Sequence, residues 1–294
     1  MSLGGVQATT GGLPSTGGTA SGGVPTGGKA SGGTATGGKA TGGSTTGGGS
    51  GCPTNLLGWA TVDGTTTGGG NATPTTVTTF AAFKAAAQDS APRVVVVSGT
   101  IKTTDGDGYP MPIASNKTIM GANKSATIYG GITVSGGSNV IIRNLNIQGS
   151  YPNSGPGDTL SSNNSHHIWY DHLAVWGADD GLLDITNQSN YQTVSWSKFY
   201  YTDSSNGHRL ASLNGSGGGD HPEDWGKLKV TYHHNWWAEL VDQRMPRVMY
   251  GLGHQFNNYF NSINSCSSRN RIHPKSIAQI IKFNDNFHVV VQAH

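Results

Sequence analysis

The sequence predicts an all-β chain wound as a right-handed parallel β-helix with a short N-terminal capping helix, and three observations carry that prediction. Six eight-residue blocks in the second half read as copies of one pattern: VIIRNLNI (140–147), IWYDHLAV (168–175), VSWSKFYY (194–201), VTYHHNWW (230–237), GHQFNNYF (253–260) and IIKFNDNF (280–287). Their starts lie 28, 26, 36, 23 and 27 residues apart, inside the roughly 20–50-residue period of stacked repeat architectures. Each block alternates apolar and polar side chains, with β-branched and aromatic residues at period two and no helical stripe between blocks. Such a unit buries its inner face only against its neighbours, so the units stack as coils. The long groove of a coil suits an extended polymer.

In chain order, residues 1–51 hold 20 glycines in a five-residue repeat (TGGTA, SGGVP, TGGKA). That composition cannot bury enough apolar surface to offset its ordering entropy, and it reads as a flexible linker or an inert leader. The folded domain is expected over 52–294. GWATVDGTTTGGG (58–70) reads as an extended leading strand and a glycine loop. TTVTTFAAFKAAAQDS (75–90) places Phe80, Phe83 and Ala87 on one helical face with Thr79 as N-cap, a helix suited to covering the open end of the stack. RVVVVSGTI (93–101) and KTIMGANKSATI (117–128) are early coils, and GITVSGGSNVIIRNL opens the regular ladder. Asn144, Asn235, Asn258 and Asn286 suit tight turns, tolerating left-handed backbone or bonding a stacked counterpart. Trp196, Trp236, Trp237, Tyr259 and Phe260 read as stacked core or packed outer face. The chain ends soon after the 280–287 block without a polar cap, which leaves the last coil exposed or the domain truncated.

Composition narrows the function classes. The chain carries 18 basic and 16 acidic residues. Lys29 and Lys39 belong to the arm, so the domain is formally neutral and has no basic field for nucleic acid. No apolar run has the length of a membrane span, and MSLGGVQATT shows no signal-peptide core. Cys52 and Cys266 allow one disulfide or two thiols, and their spacing does not suit zinc.

Three features bear chemistry. Asp158 in PGDTL and Asp180 and Asp184 in ADDGLLDI fall one coil apart. Three carboxylates without thiol or imidazole make a hard oxygen site, suited to Ca²⁺; a solvated acidic loop is the plain alternative. In DQRMPRVMYG (242–251) Pro246 removes a ladder donor and fixes the turn, aiming Arg244 in one direction; a surface ion pair is the plain alternative. Asp171 and His172 in HHIWYDH, and His233 and His234, lie inside strands, where hydrogen bonding within the stack accounts for them.

Taken together and in order, GWATV, TTTGGG, VVVVSGTI, NVIIRNLNI, IWYDH, DDGLLDI, TVSWSKF, VTYHHNWW and RMPRVMYGLGHQFNNYF resemble the pectate lyase superfamily of polysaccharide lyases over most of 57–260. The resemblance implies an extracellular, monomeric enzyme that cleaves α-1,4-galacturonan (pectate or pectin) by β-elimination. It implies Ca²⁺ held by Asp158, Asp180 and Asp184, and Arg244, from the R-x-P motif, as the base. Arg209 in NGHRLASLNG is the matching candidate for binding uronate carboxylates, and Arg247 is a second candidate beside the motif, one step behind Val248 and expected to point elsewhere than the family's second arginine. The chain departs from the pattern at Met249, where many members place a second arginine, and at Pro156, where some add an aspartate. Two relatives of that reading stay open: a pectin lyase acting on methylated polymer without calcium, and a non-catalytic pectin-binding β-helix. A hydrolase on the same fold would need paired carboxylates such as Asp179 and Asp180.

Overall fold

The computed structural model describes residues 55–105, 110–152, 157–217, 220–260, 277–283 and 287–289. The glycine-rich arm, Cys52, Pro156, Cys266 and Asn286 lie outside them. The described chain is a parallel β-solenoid of about seven coils, built from a 15-stranded sheet and a 6-stranded sheet. The 6-stranded sheet runs, in spatial order, Met111–Pro112, Ile132–Ser135, Leu160–Asn163, Leu183–Thr186, Leu213–Asn214 and Arg247–Val248. Every strand pairs in parallel with the one a coil earlier. No helical crossovers are needed, because the chain returns through the other sheet.

Period-two alternation becomes radial direction. Ile119, Ile142, Tyr170, Val194 and Tyr232 share one register row, and all are buried in the continuous core. At about 1.5–3 kcal/mol for each large apolar side chain buried, this row is a main source of stability. The blocks beginning at 140, 168, 230 and 253 lie in one register. The block at 194 is two residues out, since Val194 pairs with Tyr170 and Tyr232. A slip of two keeps every side chain on its own face, whereas a slip of one would invert the strand.

Each coil turns midway through its block at a residue of positive φ: Asn144, His172, Trp196, His234 and Asn257, between 50° and 55°. Their rings stack where they are aromatic; Trp196 lies 6.0 Å from His172 and 4.1 Å from His234. Of the asparagines expected at turns, Asn144 takes the left-handed position. Asn235 and Asn258 sit one residue later and point inward. There Asn235 donates to Val194 O (3.0 Å) and Asn258 Oδ1 (3.1 Å), and Asn258 donates to Tyr232 O (3.0 Å).

Helix α1, Phe80–Gln88, forms where expected. Thr79 accepts a hydrogen bond from Ala82 N at 3.3 Å, and Phe83 and Ala87 are buried. Residues 58–70 differ from expectation. Trp59–Thr61 is a 3₁₀ turn rather than a strand, laid across the outer face of the larger sheet. Threonine hydroxyls capture its backbone: Trp59 N donates to Thr231 at 3.0 Å, Ala60 N to Thr193 at 3.2 Å and Gly69 N to Thr118 at 3.0 Å. A Cβ on Gly69 would fall 2.1 Å from Arg93 O, so a side chain there would lift the segment off the sheet. Among the described residues, no helix is long and apolar enough to cross a membrane.

Candidate active site

The outer face of the 6-stranded sheet carries the charged residues singled out above. In Leu183–Thr186 alternation sends Leu183 and Ile185 into the core and Asp184 outward. Asp184 is nevertheless only 5% exposed, because the neighbouring coils supply its surroundings. Its Oδ1 accepts from Leu213 N at 2.9 Å, and its Oδ2 accepts from Arg244 Nη1 at 3.0 Å. Asp158, in the turn before Leu160–Asn163, accepts from Gly181 N at 3.0 Å. Arg244 has φ 60° and stands two residues before Pro246. A non-glycine residue in that region is strained, and here the strain accompanies the one guanidinium aimed at the cluster.

Gly181 shows how tightly the acids converge. A Cβ there would lie 2.5 Å from Asp184 Oδ1 and 2.9 Å from Asp158 Oδ1. Both oxygens therefore look onto one spot that only a glycine leaves open. Sequence reading passed over Gly181, although its place between Asp180 and Asp184 in DDGLLDI was the available signal. Asp180 sits at the rim with its side chain 45% exposed, and His208 Nδ1 approaches its Oδ1 at 3.8 Å. Tyr201 Oη donates to Asp180 O at 3.2 Å and to Leu210 O at 2.9 Å, pinning the loop from below. Neither His208 nor Tyr201 stood out in the sequence, because neither belongs to a motif.

The electrostatics are unbalanced. Burial, with a smaller contribution from the charge of Asp180, pushes Asp158 up to about 6, against the lowering effects of the Gly181 N–H and Arg244. Burial raises Asp184 well above the ordinary carboxylate range; the Asp158 charge adds to this and Arg244 opposes it. Two carboxylates thus share one guanidinium in a poorly solvated place, which is a deficit of positive charge. Among the described residues, no three His, Cys, Asp or Glu side chains are gathered closely enough to hold a metal ion by themselves. The donor set is all oxygen and short of positive charge, and oxygens of two carboxylates crowd together over Gly181. These residues fit Ca²⁺ completed by further oxygens, such as those of a sugar acid.

The other two arginines stand apart from this focus. Arg209 donates to Ser204 O at 2.6 Å and Asn206 O at 3.1 Å, and to Asp242 Oδ2 at 2.5 Å. Since Asp242 N also donates to Arg209 O at 2.9 Å, the pair braces the segment leading into Arg244. Arg247 pairs with Leu213 in the same register row as Asp184, about 10 Å away at two strand spacings. Alternation puts Met249 on the same outward face as Arg247, where it packs with Leu213 and Tyr250 in a small apolar cluster. Asp171 and His172 lie in strand His166–Trp176 of the other sheet, remote in topology from these groups.

Known proteins similar to this chain point to one family. Residues 50–284 match the pectate lyase family model. The chain is 40% identical over 174 residues to a pectate trisaccharide-lyase of Thermotoga maritima, covering 57% of this chain and 45% of that protein. It is 39% identical over 196 residues to pectate lyase A of Emericella nidulans, covering 64% and 56%. The chain spans about half the length of the curated relatives it matches. Among solved structures, a pectate lyase of Bacillus sp. N165 in complex with trigalacturonate superposes with a TM-score of 0.60 at 27% identity, covering 72% of this chain and 70% of that one. A thermostable pectate lyase superposes at 0.58 with 26% identity, covering 69% and 70%.

Proposed function

This chain belongs to the pectate lyase family, and on that premise we propose that it cleaves α-1,4-galacturonan by β-elimination at the Asp158–Asp184–Arg244 cluster. The observation that supports this most is the convergence of two buried carboxylate oxygens over Gly181 with Arg244 against one of them. A structural ion pair needs no second acid; a site that must take up a cation does.

Asp158, Asp180 and Asp184 would hold Ca²⁺. When bound it supplies positive charge that neutralises a uronate carboxylate and makes the proton at C5 more acidic. Arg244 takes that proton. A guanidinium is an unusual base, ordinarily protonated to above about pH 12. In the resting protein its Nη1 donates to Asp184 Oδ2 at 3.0 Å. To act as the base, Arg244 has to part from Asp184 and give up a guanidinium proton to solvent before it takes the one at C5. The C5 electrons then form the 4,5-double bond as the bond to the leaving O4 breaks, and O4 receives a proton from water. Arg209 and Arg247 meet the carboxylates of flanking residues, Arg209 in competition with Asp242. The polymer substrate is too large to enter a cell, so the site of action is extracellular, with the protein acting as a monomer.

A pectin lyase would have little use for the three acids, so their retention favours the calcium-assisted reading. The decisive assay follows ultraviolet absorbance of the unsaturated product on polygalacturonate and on methylated pectin, with and without chelator. Cleavage of polygalacturonate that chelator abolishes is expected. Chelator-insensitive cleavage of methylated pectin alone would make it a pectin lyase. Binding without product would make it a non-catalytic module.

A further inference from the structure

A large apolar side chain exposed singly is ordinary; one clamped beside a binding face is a candidate contact for whatever lies along that face. Among the described residues four are exposed: Leu57, Val62, Trp225 and Tyr259. Of these, Trp225 adjoins the catalytic sheet. It is 46% exposed, against 0% for Trp237 and 5% for Trp169, the tryptophans of the core and the packed outer face.

Its loop is fixed at several points. The Tyr250 ring packs edge-on against it, with centroids 6.0 Å apart at 75°, and Tyr250 Oη donates to Asp220 Oδ1 at 3.0 Å. Asp224, wholly buried, accepts from Gln188 N at 2.7 Å, and Ser216 accepts from Asn187 N at 2.8 Å. These anchors lie just beyond Thr186, at the far end of the strand that carries Asp184. At a strand rise of about 3.3 Å per residue, Gln188 is within about 13 Å of Asp184. The apolar cluster of Leu213, Met249 and Tyr250 fills the space beneath. One end of the outer face is thus bounded by Asp158, Asp180 and Arg244, the other by Trp225.

The charge around Trp225 has the opposite sign to what a uronate wants. Asp220 is bonded to the hydroxyl of the Tyr250 that packs beside it, and Glu223 and buried Asp224 precede it in the chain; Lys227 is the nearby permanent cation in sequence, and His221 pairs with Glu223 at 2.9 Å. A sugar ring stacked on this indole gains contact with its C–H face, but a free carboxylate on it meets repulsion.

We propose that Trp225 is a stacking platform for a methyl-esterified, and therefore uncharged, galacturonate ring, bound a residue or two from the free uronate at the Asp158–Asp184–Arg244 cluster. The preferred polymer is then partly esterified pectin. This rests on the lyase reading above for its reaction but not for its binding.

The test compares KM and kcat on polygalacturonate and on pectin of intermediate esterification. The wild type is expected to show a KM several-fold lower on the pectin. Trp225→Ala should raise KM on pectin about tenfold, a loss of the size expected for a half-exposed aromatic anchor, and erase the preference, with kcat nearly unchanged. Trp225→Phe should restore most of it, and an unchanged unfolding midpoint would exclude misfolding. If polygalacturonate is preferred and Trp225→Ala changes nothing, the platform is wrong. If the wild type cleaves neither polymer, calorimetry with free and methylated oligogalacturonides decides. Trp225-dependent binding of the methylated form upholds the platform and overturns only the lyase reading; no binding overturns both.

Discussion

Two arginine–aspartate pairs on opposite sheets of this solenoid look alike on paper and differ in balance. In the larger sheet, fully buried Asp171 has Arg143 at 3.0 Å and His172 at 2.9 Å, and accepts from Ser195 Oγ at 2.7 Å. Ser195 in turn accepts from Trp169 at 2.9 Å, and the Arg143 guanidinium lies over the Trp169 ring at 5.0 Å. One acid there has more than one positive or donating partner. In the smaller sheet, Arg244 serves Asp184 while Asp158 presses in from the next coil, and both acids are pushed upward in pKa. The first arrangement is balanced in charge within the chain, although Asp171 Oδ2, His172 Nδ1 and Arg143 Nε keep no well-aligned hydrogen bond there. The second sets two acids against one guanidinium, which is the ground for proposing a cation there. A buried ion pair is therefore read by counting the charges around it, not by its distance.

The contrast can be broken most forcefully at the arginine. Arg244→Lys keeps the charge and removes the fork, and turnover should fall by about 10³-fold, within the range for loss of a positioned proton acceptor, while pectate binding persists. Turnover near the wild-type level would remove Arg244 from the role of base.

Next in size is Asp171→Asn, which strands Arg143 against a sheet. Breaking a buried pair costs about 3–5 kcal/mol; with Arg143 20% exposed, about 2–3 kcal/mol is expected in denaturant titration, without any change in calcium requirement. Asp184→Asn should behave oppositely. Without metal it relieves repulsion and leaves stability level or raised by up to about 1 kcal/mol, while the calcium needed for half-maximal activity rises at least about tenfold. Equal destabilisation by the two substitutions would erase the distinction between the sites.

The smallest effect is on pH. Asp158 titrates at about 6 in the folded chain, against 3.8 ordinarily. Between those values the folded state holds the extra proton, so the contribution of Asp158 to metal-free stability is greatest below about pH 4 and declines as pH rises through about 6. Saturating calcium should flatten that slope. Unfolding midpoints from pH 4 to 8, with calcium and with chelator, measure it; a metal-free midpoint that rises across the window would reverse the sign.

The fold was legible because period-two patterning states which face each residue takes, and repetition states that the faces stack. Thr79, Phe83 and Ala87 announced helix α1 for equally local reasons. The Trp59–Thr61 turn did not show, since its conformation depends on threonine hydroxyls 133 and 172 residues away. At the site, Asp158, Asp184 and Arg244 were readable as residue types in order, and the resemblance supplied their roles. What stayed hidden is what depends on crossing coils: the crowding over Gly181, the brace of Arg209 on Asp242, and Trp225 held out from the far rim by Tyr250.

The unbroken pairing of Val194 with Tyr170 on one side and Tyr232 on the other has a consequence for how such a molecule changes over time. Adding or deleting residues in pairs within a strand leaves apolar side chains facing inward, so coils can be lengthened, trimmed or exchanged while the interior stays dry. Odd-numbered edits turn the wall inside out and should be confined to the loops. Variation in this architecture is thereby channelled to the rims, where Trp225 and the acids stand, and the spiral can trade one substrate for another without having to refold around a new centre.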